Sequence, residues 1–244
     1  MRKKYICILA AVIGFCSLSG CGSSAKKTEE EQVTIGVVTK SKSSEYWLSV
    51  CDGMKDAAEK YHADVVILSP DSETEEEVQK NMIRDLLKTD IQAIAVSPID
   101  SYECEDYLNF AREKGISVYA CDTPIEDSYI GIDNEKLGYE LGEQLAKALD
   151  HKGKIGVIAG DFKQAGHRMR VAGFEKYMEK EPGITIEMVR SGYSNMRVSQ
   201  MDVDEILGKY PDLNGIMTTS AVTALGLSEA TEGREISIVS VDAQ

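Results

Sequence analysis

The sequence predicts an α/β protein built as two doubly wound, parallel-sheet lobes in series. From Val33 onward, short β-rich runs alternate with longer stretches of helical period, and the runs are almost continuously apolar, as strands covered on both faces must be. The alternation then starts afresh after Ile130-Gly131-Ile132-Asp133-Asn134. A chain of 244 residues, 43% hydrophobic and 28% charged, has material for both cores, and 5 Pro and 20 Gly place it far from collagen or low-complexity chains.

Ahead of the first lobe, Met1-Arg2-Lys3-Lys4 is a basic start followed by an apolar or small run over residues 5–18. This reads as a secretory signal over residues 1–20; the run is shorter than the roughly 20 apolar positions a spanning helix needs. Leu18-Ser19-Gly20-Cys21 stands directly after it and resembles the lipobox of bacterial lipoproteins. That resemblance implies acylation of the Cys21 thiol and an extracytoplasmic protein anchored to the bacterial cell membrane by lipid alone. Residues 21–32, polar or small throughout, form a flexible tether.

In the first lobe, residues 33–131, strands are expected at 33–39, 63–69, 92–97 and 116–121. Helices are expected at 46–61, at 73–89 behind a Ser72-x-x-Glu75 capping box, and at 101–114, closed by Lys114-Gly115. The second lobe, residues 132–244, opens with Leu137, Leu141, Leu145 and Leu149 on one helix face. Strands at 154–159, 184–190, 214–218 and 236–241 follow, separated by helices near 165–180, 195–209 and 221–231.

Right-handed crossovers bring the loops after parallel strands to one sheet edge, where ligands bind. Those strand ends carry Lys40, Ser41, Asp71, Asp100, Asp122 and Thr123, then Asp161, Tyr193, Thr219, Ser220 and Asp242. Collectively they suit a hydroxyl-rich ligand better than a phosphate, although Ser and Asp at these places also serve as helix N-caps.

Several classes are disfavoured. Lys plus Arg number 27 against 41 Asp plus Glu, a formal charge of −14, the wrong sign for a phosphate-tracking nucleic-acid binder. The phosphate loops of NTPases and Rossmann dehydrogenases are absent, as is a G-x-S-x-G elbow, and His62, His151 and His167 form no H-E-x-x-H pair. No cofactor and no metal are expected. Beyond Cys7, Cys16 and Cys21 there remain Cys51, Cys104 and Cys121, an odd count without a C-x-x-C pair, so these read as small buried hydrophobes. The acidic run Glu73 to Glu77 reads as the solvated first turn of a helix. Asp122 and Asp242 are open to two uses, as acceptors for a polar ligand or as an acid/base pair.

In their order along the chain, Ile35-Gly36-Val37-Val38 before Tyr46-Trp47, Val96-Ser97-Pro98, Ile116 to Tyr119 before Asp122, and Ile130 to Asn134 before Gly138 resemble the type 1 periplasmic binding proteins. So do His167-Arg168-Met169-Arg170 before Gly173-Phe174, Ala224-Leu225-Gly226, and Ile238 to Asp242; the resemblance is to the sugar-binding branch that includes ribose-binding and arabinose-binding proteins. It implies that Tyr46 and Trp47 stack on a sugar face, that Asp122 accepts from sugar hydroxyls, that Arg168 donates to sugar oxygens, and that Asp242 is a further polar contact. Lys40 falls where the arabinose-binding branch places a ligand lysine, and Ser220 is assigned to the second lobe's side of the site. Each has a plainer alternative: Tyr46 and Trp47 as anchors of the first helix, Arg168 as a surface ion-pair residue, Lys40 as a solvated loop residue.

Two departures reduce the site's charge. Ribose-like members carry Asp-Arg where this chain has Asp122-Thr123, and Asn-Asp where it has Ser220-Ala221, which points away from ribose itself toward another sugar or polyol. Members also continue past the Asp242 strand, so the second lobe is expected to be incomplete at its C-terminus, with sheet edges and helix faces exposed. The resulting expectation is a monomeric, non-enzymatic, lipid-anchored solute-binding protein that passes a small sugar to an ABC permease. The rivals are a sensory lipoprotein signalling to a membrane kinase or chemoreceptor, and a carbohydrate-acting enzyme.

Overall fold

In the computed structural model, which describes residues 32–125 and 128–241, nine parallel strands form two sheets. The signal segment, Cys21, the tether up to residue 31 and Asp242 lie outside the described residues. The first sheet has the order β2-β1-β3-β4-β5, from β1 (Thr34–Val38), β2 (Asp64–Leu68), β3 (Ala93–Val96), β4 (Ser117–Cys121) and β5 (Tyr129–Ile130). The second has the order β7-β6-β8-β9, from β6 (Gly153–Ala159), β7 (Ile184–Ser191), β8 (Gly215–Thr218) and β9 (Ser237–Val239). The helices α1 (Glu45–Tyr61), α2 (Glu76–Leu86) and α3 (Glu105–Glu113) connect strands of the first sheet. A further helix, α4 (Asn134–Ala148), leads into the second, whose strands are joined by α5 (Ala165–Met178), α6 (Met196–Lys209) and α7 (Ala221–Ala230).

Strand order and handedness together decide the layers. The chain steps from β1 to β2 in one direction and from β2 through β3 to β4 in the other, so right-handed crossovers place α2 and α3 on the face opposite α1. Accordingly, Val38, Ile94, Val96 and Val118 share one core with Ile83, Leu86, Leu108 and Ala111. In the second sheet, Ile155, Val157 and Ala159 pack with Leu141 and Leu145 of α4 and with Val171 and Phe174 of α5. Ile158 and Ile216 turn the other way, onto Val203, Ile206 and Leu227 of α6 and α7. Because both faces of each sheet are covered by helices, the strands read as apolar runs without alternation.

Two glycines bring α4 and α5 into backbone contact. A Cβ on Gly138 would lie 1.9 Å from the Arg170 carbonyl oxygen, and one on Gly173 would lie 1.9 Å from that of Glu135. The crossing therefore sets the start of α4 against the second and third turns of α5.

Three local features depart from expectation. The second helix begins at Glu76, a turn later than the sequence pattern suggests, because the capping box forms only in part: Glu75 Oε2 accepts from the Asp71 N–H at 2.7 Å, while Ser72 Oγ accepts from Thr74 N–H at 3.1 Å. Glu73 is thus a loop residue and not part of a solvated helical turn. The third helix begins at Glu105, since Asp100 Oδ1 accepts from the N–H groups of Tyr102 and Glu103 and holds residues 100–103 in a turn. The two-residue β5 was not expected as a strand; it is too short to show a pattern, and it pairs with β4 through Ala120↔Tyr129 and Cys121↔Ile130. Elsewhere the boundaries fall within a few residues of expectation, and Cys51, Cys104 and Cys121 are buried free thiols.

Candidate functional site

The loops after β1, β4, β6 and β8 converge on a cavity of about 240 Å³ lined by residues that belong to both sheets' units. In each sheet the chain order reverses beside this cavity, between β1 and β3 in the first and between β6 and β8 in the second, the place that topology reserves for ligands. Lys40 follows β1, Asp122 follows β4, and Ser220 follows β8.

Lys40 is the centre of the polar wall. Only 4% exposed, its ammonium donates to Asp122 Oδ2 at 2.8 Å and to Gln164 Oε1 at 2.7 Å. Gln164, the N-cap of α5, in turn donates to Glu73 Oε2 at 2.9 Å. One lysine and one glutamine amide therefore tie three residues of the first unit to the second. Trp47 is 2% exposed, and its indole N–H donates to Glu73 Oε1 at 3.0 Å. Tyr46, 42% exposed, stands edge-on to Trp47 with 5.0 Å between ring centroids and donates its hydroxyl to Asp122 Oδ1 at 3.1 Å.

Asp122 occupies a tight three-residue turn closed by Thr123 N–H to Cys121 O at 2.6 Å, with φ at 61°. A non-glycine residue in the left-handed region at a cleft is stored backbone strain of the kind that concentrates at functional sites. Burial by itself would push the Asp122 carboxyl up. The charge and hydrogen bond of Lys40, then the Arg170 charge and the Tyr46 hydroxyl, outweigh it and hold the group below its ordinary value.

The second unit contributes Arg170, whose Nε donates to Asn134 Oδ1 at 2.8 Å and whose Nη1 donates to the Thr219 carbonyl at 2.7 Å. Those two acceptors lock the guanidinium at the cavity wall. His167, Ser194 and Ser220 complete the polar lining, and Ser220 Oγ also caps α7 by accepting from the Thr223 N–H. Around this polar floor, Tyr46, Ile130, Ile132 and Val222 form an apolar rim. An array with fixed donors and acceptors below and apolar surface above matches a small molecule with hydroxyls on its edge and C–H groups on its faces.

Lys40, Tyr46, Trp47, Asp122 and Ser220, singled out from the sequence, come together here, while Asp242 lies outside the described residues. Arg168 does not face the cavity. Its guanidinium donates to the Phe162 carbonyl and to Ser101 Oγ at 3.1 Å, and lies 4.0 Å from the Tyr102 ring centroid, outside the cleft. The guanidinium at the cleft is that of Arg170, two positions and about 200° further round the helix. Phase against Gly173 and Phe174, which face the core three and four residues on, was the signal that distinguishes the two. Glu73, Gln164 and His167 also lacked a sequence signal: one hides in an acidic run, one in a loop, and one among residues that match a family motif only as a group.

Outside the cleft, Glu76, Asp100 and Glu103 bring carboxylate oxygens within 4.8 Å of one another. Lys80 Nζ lies 2.6 Å from Glu76 and 2.5 Å from Glu103, and Lys163 Nζ 2.5 Å from Glu76 and 3.5 Å from Asp100. Two ammonium groups fill the position a cation would take, so this cluster is an ion network bridging the two units. No helix among the described residues is long and apolar enough to cross a membrane.

The family model described as a periplasmic binding protein domain matches residues 35–244. The D-ribose/D-allose-binding protein of Pseudomonas aeruginosa is 28% identical over 241 aligned residues, which take in 91% of this chain and 74% of the relative. The ribose import binding protein of Bacillus subtilis is 21% identical over 219 residues, with 87% and 70% covered. Among solved structures, a glucose-galactose binding protein from Geobacillus stearothermophilus superposes with a TM-score of 0.84 at 25% identity, over 88% of this chain and 79% of that one. An ABC transporter solute binding protein from Burkholderia graminis, in complex with D-arabinose, gives 0.80 at 24% identity, over 87% and 76%.

Proposed function

Because the chain belongs to the periplasmic binding protein domain family, we propose that it captures a neutral sugar or sugar-like polyol, of monosaccharide size, in the cavity between its two lobes. The observation that carries this reading is the Lys40–Asp122–Gln164–Glu73 junction beside Arg170, with two basic and two acidic side chains in one small cavity under an apolar rim. A phosphorylated or otherwise strongly charged ligand would leave Asp122 or Lys40 without its counter-charge in a buried place, a costly outcome. A neutral polyol uses the same groups as donors and acceptors. Relatives named for D-ribose, D-allose and D-arabinose bound to a similar fold support the same ligand class.

In this reading residues 33–131 and 132–244 are the two lobes, hinged near residues 130–133, and closure completes the site by joining Lys40 to Gln164. The protein acts outside the cytoplasm, held to the membrane through a lipidated Cys21, and delivers its ligand to an ABC permease without catalysing a reaction. A thermal-shift panel of pentoses, hexoses and polyols on the purified protein tests the ligand class, since selective binding to the native state raises the midpoint by mass action. A rise with one neutral sugar and none with its phosphate ester is expected. A shift with phosphorylated compounds alone would overturn it.

A further inference from the structure

His167 is held on three sides in a way that assigns its proton. Its imidazole, 6% exposed and on the cavity wall, lies flat against Gly160, where a Cβ would come within 2.4 Å of Nε2. Thr219 Oγ1 sits 2.8 Å from Nδ1, and the same oxygen accepts the Gly160 N–H at 2.8 Å. Thr219 is fully buried, so its hydroxyl proton needs an acceptor. Of the two partners of that hydroxyl, the Gly160 N–H is a donor, and His167 Nδ1 is left as the acceptor. The neutral ring therefore carries its hydrogen on Nε2. The Thr219 carbonyl accepts from Arg170 Nη1 and lies within reach of the ring, but a bond from Nδ1–H to it would leave the buried Thr219 hydroxyl proton without the acceptor it needs.

The Nε2 side is under-used. Its neighbour is Ser194 Oγ at 3.4 Å, at the long limit of a hydrogen bond, and Ser194 also lines the cavity. Ser194 is placed there by strained backbone: Tyr193 and Ser194 have φ of 53° and 49°, two successive non-glycine residues in the left-handed region. The helix start and the strained turn thus set the Nε2 edge of His167 and the Ser194 hydroxyl side by side, on residues that both line the cavity.

We propose that His167 is a ligand-contacting, specificity-determining residue, its Nε2–H donating, with Ser194 beside it, to an acceptor oxygen of the bound polyol. The proposal rests on the reading of the cleft as a polyol site. It adds that the oxygen meeting the second lobe must offer a lone pair, as a hydroxyl or ring oxygen does, so that an ammonium group or a bare methylene there is rejected. Burial, then the charges of Arg170 and Lys40, push the imidazole down to about 3 against the opposing pull of Asp122, which keeps the donor in place wherever the fold is intact.

The test uses the purified protein with 15N-labelled histidines and long-range proton–nitrogen correlation between pH 5 and 8, with D-ribose and D-allose as probes. His167, assigned by its loss in His167→Gln, should show the neutral Nε2–H form without sugar, and its Nε2 signal should move when a probe binds. His167→Phe should weaken binding of that probe by about tenfold, the scale of one lost hydrogen bond, while His167→Gln, which keeps an amide donor at similar reach, stays within about threefold of the parent. An Nδ1–H or protonated ring, or equal affinity of His167→Phe and the parent for a bound sugar, overturns the assignment. Binding of neither probe nor of any other neutral sugar, with the Nε2–H form still present, defeats the polyol reading and with it the ligand contact, leaving only the tautomer in place.

Discussion

Replacing Asp122 by Asn should destabilise the protein by about 3 kcal/mol, and the reasoning starts from what is left behind. Lys40 is buried, and its ammonium has two acceptors, one charged at 2.8 Å and one neutral at 2.7 Å. Removing one member of a buried ion pair costs roughly 3–5 kcal/mol because the other charge stays desolvated. The Asp122 side chain is 20% exposed and Gln164 continues to accept, so the lower end of that range applies. Asparagine is the appropriate probe, since it tolerates the left-handed backbone at φ 61° that Ala would strain. For a chain of this size the loss corresponds to roughly 9 °C in the thermal midpoint. The double variant Lys40→Met with Asp122→Asn should recover to within about 1 kcal/mol of the parent, because the stranded charge is gone. Urea unfolding of the four species closes the cycle. An Asp122→Asn variant as stable as the parent, or a double variant no better than the single one, would refute the claim that the pair is buried and mutually dependent.

The same cycle has an acid arm. Although burial pushes the Asp122 carboxyl up, Lys40 foremost holds it below its ordinary value in the folded protein. Such a group contributes stability that is present in full above its unfolded value of about 3.9 and is lost as pH falls through the lower, folded one. The parent should therefore lose stability more steeply below about pH 4 than Asp122→Asn does, which equilibrium unfolding at stepped pH reads directly.

Other consequences separate site from scaffold. Arg170→Ala should abolish measurable sugar binding by calorimetry, whereas Arg168→Ala, whose partners are Ser101, Tyr102 and Phe162 outside the cleft, should leave affinity within about threefold of the parent. Equal losses for the two would undo the placement of their side chains. Gly173→Ala should cost at least about 2 kcal/mol despite the better helix propensity of Ala, since the new methyl meets the Glu135 backbone at 1.9 Å and only a shift of α4 against α5 relieves it; a stabilised variant in urea unfolding would show that the helices are not in backbone contact.

How far the molecule could be read from its sequence follows from what each feature depends on. Strands and helices were legible because periodicity is a local property: Ile155, Val157, Ile158 and Ala159 are apolar in a row because helices lie on both faces of their sheet. The strand ends then named Lys40, Asp122 and Ser220, since parallel topology brings those positions to one edge whatever their side chains do. Side-chain direction is another matter. Arg168 and Arg170 lie in the same helix, in the same motif, and differ in which way they point; that is decided by the backbone contact of Gly138 and Gly173, which turns one face of α5 onto α4 and Asn134. Glu73 reaches the cleft because the capping box that would have wound it into a helix forms only in part and α2 begins at Glu76. His167 depends on a hydroxyl fifty-two residues away for its tautomer. For Arg170 and His167 the deciding partner is distant in sequence, and for Glu73 it is a local bond that periodicity does not show, so the chemistry of the cleft rests on pairings that periodicity does not encode, while the position of the cleft rests on those it does.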